Sequence, residues 1–415
     1  MNPASAVRTG KKPDESLTYL QLDAAASTEA VVSYPPLSEL VARYAPFWKN
    51  GQFPNIPFNA QECRIVFDAN YARWKHFQPK EGFYGVITKS IVPPKTRIFV
   101  RADLHGDLKS LLENLKEMQR AGLLDENFKC LPDVQIVFMG DYVDRGTYGM
   151  QILQILATLR LENPDQVHLI RGNHEYCVIN LMYGKSDSSL MSFINERALE
   201  QFYSTMTLTH YIAQKGARRL DYVHFTHGTF EPQFDPAPFL DGEENFISVP
   251  HRPKLSERIQ AMSGPDIVRI NEIAGLDDMV LRPENSEITA YNWGDVREST
   301  WLYDLFSRHY HLSVEDVALY MRLSSTMHKV SMLFRGHQHL LQHSTHEGKV
   351  IISTLPVGMD SCKMYQERFS GQVDRAYILE TAPEVRSWTK RAITRPPGSD
   401  VSTISEPIQI HDSAV

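Results

Sequence analysis

The sequence has 415 residues, of which 42% are hydrophobic and 22% are charged. This composition is typical of a soluble globular protein with one large domain or two. The formal net charge of −7 argues against a general nucleic-acid-binding protein, which usually carries a basic excess. The sequence contains no apolar run near the roughly 20 residues of a membrane span, and no apolar core of a secretory signal peptide.

The cysteines indicate the compartment. Cys63, Cys130, Cys177 and Cys362 are widely separated and form no CxxC pair. We therefore expect free thiols in a reducing, cytoplasmic-type compartment. Export by a route that uses no signal peptide stays open.

The first part of the chain predicts a flexible start and then a folded domain. Residues 1 to 30 are small and polar and are expected to be flexible. Residues 36 to 90, with several aromatic side chains, favour an N-terminal helical layer. The run RIFVRADLHGD, from residue 97, predicts a strand that passes into a polar loop. An amphipathic helix follows and ends at Gly122.

The middle of the chain predicts alternating strands and helices. VQIVFM, from residue 134, predicts a buried strand, MQILQILATLRL a helix, and VHLI, from residue 167, another strand. Residues 176 to 218 favour helices. This alternation predicts βαβ units and an α/β or α+β fold whose sheets are covered by helices.

The last part predicts further strands and two additions to a domain of residues 31 to 384. LDYVHF, SMLF, VIIST and AYILE are the apolar runs that we expect to be strands. We interpret residues 234 to 290 as an insertion and 299 to 330 as a helical segment. Residues 385 to 415 are expected to be a disordered tail.

Five of the apolar runs are followed at once by a residue that can bind a metal. In open α/β folds the loops beyond the carboxyl ends of strands meet in one crevice. Each short motif alone could equally be a capped turn, and only their repetition at strand ends favours a metal centre. Asp and Asn oxygens with His nitrogens suit Mn, Fe or Zn better than Ca or Mg. The residues are Asp103 and His105, Asp141, Asn173 and His174, His227, and His337.

The motifs around these residues resemble those of a known family. They are DLHGD (103–107), GDYVDRG (140–146), RGNHE (171–175), HGTFEP (227–232) and RGHQ (335–338). In this order they resemble the PPP family of phosphoprotein phosphatases, within the calcineurin-like metallophosphoesterases. The departures of this chain from the family pattern and its long insertion resemble a bacterial effector-type member more than a housekeeping eukaryotic enzyme. The resemblance implies a β-sandwich flanked by helices and a site with two divalent metal ions.

The resemblance also implies which residues bind the metals. Two metal ions about 3.5–4 Å apart would lower the pKa of a bridging water and bind the phosphoryl oxygens. Asp141 would bridge the two ions, because its carboxylate offers two oxygens. The first ion would be bound by Asp103, His105 and Asp141, and the second by Asp141, Asn173, His227 and His337.

Four further residues are assigned catalytic roles by the same resemblance. His174 would protonate the leaving group, and Asp144 would hold its other ring nitrogen. Arg145 and Arg171 would bind the phosphoryl oxygens as planar forks. Arg308 is the candidate for an additional phosphate-binding arginine, with Arg297 as the rival position.

Some positions depart from the family pattern. Ala102 and Thr229 stand where glycine is usual, and Asp107 stands where glutamine is frequent. The segment STLPVGMDSC, from residue 353, lacks the tyrosine that eukaryotic members carry there. His339 makes GHQH resemble other metallophosphoesterases, in which the second histidine binds the first metal. It is a candidate further ligand, and the alternative is a surface histidine.

The function expected from the resemblance is a metal-dependent phosphoprotein phosphatase, with a phosphoprotein as partner and with no nucleic acid or membrane span involved. The alternative enzyme is a hydrolase of dinucleoside polyphosphates or other small phosphoesters. A phosphate-binding scaffold without activity is a third hypothesis, which the complete ligand set disfavours. The sequence leaves the oligomeric state open.

Overall fold

The computed structural model of this chain describes residues 34–48, 56, 58–75, 85–231, 234–248, 268, 294–297, 311–339, 342–347, 349–354, 373–396, 399 and 401–412. The described helices are α1 (Leu37–Tyr44), α2 (Ala60–Trp74), α3 (Leu108–Arg120), α4 (Gly149–Glu162), α5 (Cys177–Tyr183), α6 (Ser188–Phe193), α7 (Arg197–Ser204), α8 (Ala237–Asp241) and α9 (Val314–Ser324). Short 3-10 helices lie at Ala45–Trp48 and Val385–Ser387. Within these ranges no helix is both long enough and apolar enough to cross a bilayer.

The described strands form two large sheets and one small pair. They are β1 (Val86–Val92), β2 (Arg97–Arg101), β3 (Val134–Phe138), β4 (Val167–Leu169), β5 (Thr209–Gln214), β6 (Asp221–Thr226), β7 (Phe246–Ser248), β8 (Asp295–Arg297), β9 (His311–Ser313), β10 (Lys329–Arg335), β11 (Gln342–His346), β12 (Lys349–Thr354), β13 (Asp374–Glu380), β14 (Thr389–Arg395), β15 (Thr403–Ile404) and β16 (Ile408–Gln409). The first sheet has the order β11-β12-β10-β6-β5-β1-β7. The second has the order β15-β14-β13-β2-β3-β4, with β16 also paired to β14, and β8 pairs with β9.

The two large sheets face each other across one apolar core. Val100 and Val137 of the second sheet pack with Ile212, Phe225 and Phe334 of the first. A second cluster covers the first sheet from the other side, where α9 contributes residues such as Val317 and Tyr320. The mixed sandwich flanked by helices confirms the predicted fold class.

The βαβ units come from local sequence signals. In α3 the Asp107 side chain accepts a hydrogen bond from Ser110 N at 3.0 Å and so caps the first turn. Apolar side chains such as Leu111 and Leu115 face inward, and Gly122, at φ +67°, follows the end of the helix. The strands that α3 connects, β2 and β3, pair in parallel, as do β3 and β4.

Three predicted intervals need correction at their ends. The last described helix of the predicted N-terminal helical layer ends at Trp74, and the same interval also contains the start of β1, at Val86. Residues 176 to 218 contain β5 after the three helices α5, α6 and α7. In the segment from 299, the described part, 311–330, holds β9, α9 and the start of β10, while 298–310 lies outside the described residues.

The predicted insertion is partly wrong. At its start, Phe234 and Phe239 are buried in the core cluster of the first sheet, and β7 pairs antiparallel with β1. Residues 234 to 248 therefore belong to the fold itself. The rest of the interval lies outside the described residues, apart from residue 268.

The predicted disordered tail is also wrong for most of its length. Strand β14 pairs along its whole length with β13, and β15 and β16 pair with β14. Trp388 is fully buried between the sheets. Residues 1 to 30 lie outside the described residues. Cys63, Cys130 and Cys177 are free thiols, as expected, and Cys362 is outside the described residues.

Candidate metal centre

Five strand-end loops meet at one edge of the sandwich. They follow β2, β3, β4, β6 and β10. Asp103 N donates to Gly140 O at 3.1 Å, which joins the first two loops. Gly336 N donates to His227 O at 3.0 Å, which joins the last two. The side chains that the sequence placed at separate strand ends therefore share one site.

The backbone of this site is strained. Of the ten non-glycine residues with positive φ among the described residues, seven lie in these loops. Left-handed backbone costs an L-residue about 1–2 kcal/mol, and such residues concentrate at functional sites. The seven are Asp103, His105, Asp141, Asp144, Arg145, His337 and His339.

A first set of donor atoms lies around His105. Asp103, His105, Asp141 and His339 each offer one ligand atom, and these atoms all lie within 4.8 Å of one another. His105 Nε2 is 3.3 Å from both His339 Nε2 and Asp141 Oδ2. His339 Nε2 is 3.7 Å from Asp103 Oδ1, so this histidine belongs to the cluster.

A second set shares Asp141 with the first. Ligand atoms of Asp141, His227 and His337 lie within 4.8 Å of one another. Asn173 Oδ1 lies between the two histidines, 3.0 Å from His227 Nε2 and 3.1 Å from His337 Nδ1. Asp141 is thus the one candidate ligand common to both sets.

The hydrogen bonds of the histidines fit metal ligation. His105 Nδ1 lies 3.0 Å from Val143 O, and His227 Nδ1 lies 2.8 Å from Met139 O. Because a carbonyl only accepts, each Nδ1 carries the proton, and each Nε2 faces the cluster. Metal-binding histidines are usually oriented in this way by a backbone carbonyl.

The charges around His227 favour a cation. Burial lowers the pKa of His227, but the carboxylates of Asp141, Asp103 and Glu175 outweigh it and raise the pKa to about 9. Burial raises the pKa of Asp141 as well, and the nearby imidazoles of His227, His174 and His105 more than reverse this, to well below the usual range. A set of oxygens and imidazole nitrogens with this preference fits a divalent metal ion.

The guanidinium of Arg145 lies against the first donor set. Its Nη1 donates to His105 Nε2 at 2.9 Å and to His339 Nε2 at 3.1 Å. Its Nη2 donates to His174 Nε2 at 2.8 Å. Burial lowers the pKa of His105 to about 4, and Arg145 adds to this effect, so the imidazole is neutral and has a lone pair to offer. The guanidinium of Arg145 thus places a positive charge beside the ring nitrogens of His105, His339 and His174.

His174 forms a buried pair with Asp144. His174 Nδ1 is 2.7 Å from Asp144 Oδ2, and Asn180 Nδ2 donates to the same oxygen at 2.9 Å. Burial raises the pKa of Asp144 to about 7 and lowers that of His174 to about 3. Asn180 also donates to His174 O at 2.7 Å, so it fixes both partners. Sequence reasoning missed Asn180, and its only signal was its place on the helix after RGNHE.

Of the three other arginines predicted for the site, the structure describes the side chain of Arg171 alone. Arg171 is buried, and its Nε donates to Glu175 O at 3.1 Å. Arg308 lies outside the described residues, and so does the side chain of Arg297. Asp295, the first residue of β8, has Oδ1 3.7 Å from His337 Nε2, and sequence reasoning gave it no role.

Comparison with known proteins agrees with this geometry. The sequence pattern of calcineurin-like phosphoesterases matches residues 96–341. A protein serine/threonine phosphatase from Saccharomyces cerevisiae, described as similar to human phosphatase PP5, has a similar structure: TM-score 0.53 and 15% identity, covering 83% of this chain and 93% of that one. A cold-active protein-tyrosine phosphatase of a Shewanella species matches with TM-score 0.39 and 13% identity, over 74% of this chain and 81% of that one.

These identities indicate shared fold, and the second structural match is too distant to carry an argument. The sequence match has more weight, because it extends over more than half of the chain and begins one residue before β2. It includes Asp103, Asp141, Asn173, His227 and His337, which the fold brings together at one edge of the sandwich. The chain therefore belongs to the calcineurin-like phosphoesterase family.

Proposed function

We propose that this protein is a metal-dependent phosphoprotein phosphatase that hydrolyses phosphomonoesters with the help of two divalent metal ions. The observation that carries the proposal is the pair of donor sets that share Asp141 beside the His174–Asp144 pair. The motifs DLHGD, GDYVDRG and RGNHE, which resemble those of PPP phosphatases, support a phosphoprotein as the substrate.

The described side chains can be assigned to the two metal ions. Such ions supply an activated water and neutralise charge on the phosphoryl oxygens. Manganese, iron and zinc all suit a set of carboxylate, amide and imidazole ligands. One set is Asp103, His105 and Asp141, with His339 as a further ligand, and the other is Asp141, Asn173, His227 and His337.

His174 is placed to act as the general acid. Asp144 fixes its Nδ1, which leaves Nε2 facing the site, next to the guanidinium of Arg145. Arg145 and Arg171 would bind the phosphoryl oxygens, so the proton donor and the phosphate-binding group are neighbours. Burial lowers the pKa of His174 to about 3. A phosphoryl dianion next to Nε2 would act in the opposite sense and favour the imidazolium.

The substrate class is tested with a panel of phosphopeptides containing phosphoserine, phosphothreonine or phosphotyrosine, assayed with added Mn²⁺. Diadenosine tetraphosphate in the same panel tests the alternative hydrolase. We expect turnover of at least one phosphopeptide to exceed that of the dinucleotide. Turnover of the dinucleotide alone would replace the proposal by the alternative, and binding of phosphate without any turnover would favour a scaffold.

The role of His174 is tested with the variant His174→Asn. A general acid contributes about 10²–10⁴-fold to the rate, and it matters most for a poor leaving group. We expect a larger rate loss on a phosphoserine peptide than on p-nitrophenyl phosphate, with metal content unchanged. Asp144→Asn should show the same dependence on leaving group. Equal losses on both substrates would remove His174 from this role.

A further inference from the structure

Glu175 is a fully buried carboxylate that touches both central loops of the site. Its Oε2 accepts hydrogen bonds from Asp141 N and Gly172 N, both at 2.8 Å. Its Oε1 accepts from Tyr142 N at 2.8 Å. One side chain thus binds two amides of the loop after β3 and one amide of the loop after β4.

The two loops are also joined in the opposite direction. Asp141 Oδ1 accepts from His174 N at 3.1 Å. A Cβ at Gly172 would lie 2.3 Å from Asp141 Oδ1 and 2.4 Å from Asp141 N, so the backbones are as close as glycine permits. Neither loop can move without breaking bonds to the other.

The residue that Glu175 holds most directly is Asp141. Asp141 has φ +56°, a conformation that a non-glycine residue adopts only when its surroundings enforce it. The amides of Asp141 and of the next residue both donate to Glu175. The carboxylate therefore favours the backbone conformation that directs the Asp141 side chain into both donor sets.

We propose that Glu175 is a positioning residue, which fixes the loop of Asp141 against the loop of Asn173 so that both donor sets form. This inference rests on the proposed function, since it concerns the same site. Among the described residues, the side chain of Glu175 hydrogen-bonds to the loops of the metal centre through their backbone amides, and its removal should act on metal affinity. Outer groups that orient metal ligands typically contribute about 10–100-fold to affinity.

The test is Mn²⁺ binding to the metal-free full chain, measured by calorimetry, for Glu175→Gln and a matched control. The amide of Gln must direct its NH₂ at one or more backbone N–H groups, so at least one hydrogen bond between this side chain and the loops is lost. Asp187→Asn is the control, because Asp187 is also buried and its two oxygens accept from Met150 N, Ser189 N and Leu190 N at 3.0–3.2 Å.

We expect Glu175→Gln to weaken Mn²⁺ binding by about 10–100-fold. Asp187→Asn should lower the melting temperature and leave Mn²⁺ affinity within about threefold of the wild type. Wild-type affinity in Glu175→Gln would overturn the proposal, and so would an equal loss of affinity in both variants.

A second measurement covers the case in which Glu175→Gln does not fold. In the metal-free wild type, the amides of Asp141, Tyr142 and Gly172 should exchange with deuterium as slowly as those of β3. Exchange as fast as in an exposed loop would overturn the proposal. Neither measurement uses hydrolysis. A chain that binds two Mn²⁺ ions but cleaves no phosphoester would therefore contradict the proposed function and leave the role of Glu175 standing.

Discussion

The segment after residue 384 is expected to be essential for stability, and Trp388 offers the sharpest test. Its side chain is fully buried in the core between the sheets, near Val385 and Ile410. Its indole Nε1 donates to Ala382 O at 2.8 Å. Trp388→Ala removes a large apolar side chain and leaves that carbonyl without its donor.

The size of the effect follows from these contacts. A Trp→Ala change in a core typically costs about 3–5 kcal/mol of unfolding free energy. Trp388→Phe keeps most of the apolar contact and loses the hydrogen bond, for which we expect about 1–3 kcal/mol. Val401→Ala is the control, because Val401 lies in the same segment and is 65% exposed. It should change stability by less than about 0.5 kcal/mol.

The assay is unfolding by urea, followed by tryptophan fluorescence and by far-UV circular dichroism. We expect stability to decrease in the order Val401→Ala, Trp388→Phe, Trp388→Ala. A loss below about 1 kcal/mol for Trp388→Ala, equal to that of the control, would contradict a docked segment. It would support the disordered tail that the sequence predicted.

Three other predictions concern the metal centre and a buried lysine. Asp141→Asn should bind fewer than two metal ions per chain and hydrolyse almost no phosphomonoester; full metal content with normal turnover would contradict a shared ligand. Saturation of the wild type with Mn²⁺ at 100 times the dissociation constant should stabilise it by about 2.7 kcal/mol for each bound ion, and an unchanged melting temperature would argue against a preformed site. Burial lowers the pKa of Lys390 from 10.5 to about 8, so protonation of this lysine opposes folding. The resulting loss of unfolding free energy is complete below pH 8. Lys390→Met should therefore be more stable than the wild type at pH 7, by at most about 3 kcal/mol, and this gain should vanish as the pH rises through 10.

The sequence by itself determined the part of the fold whose signals are local. Strands such as β3 are continuous apolar runs, and the residue types that follow them are visible as motifs. Because the carboxyl ends of such strands meet at one edge, the grouping of Asp103, Asp141 and Asn173 followed from the chain order alone. The family match and the observed donor sets agree with that grouping.

Where strand residues are polar, only the tertiary structure decided that the segment forms a strand of the sheet. Strand β1 contains Lys89, whose Nζ donates to Phe239 O at 2.6 Å. Strand β14 contains Arg395, which donates to Asp374 Oδ2 at 3.0 Å. These side chains indicate exposed segments in the sequence, because a buried charge is unfavourable until it has a partner. The partners come from distant parts of the chain and exist only in the folded protein.

The dependence on distant partners also explains why the sequence indicated the metal ligands and missed the residues that position them. Metal ligands belong to short motifs, so the sequence indicates them directly. Glu175 and Asn180 act through hydrogen bonds to groups between 6 and 36 residues away, apart from the contact of Glu175 with Gly172. Which amide or carboxylate a buried polar side chain binds depends on backbone geometry that forms only when the strand-end loops meet. The sequence therefore determined the chemistry of the site, and packing decided how that chemistry is held in place.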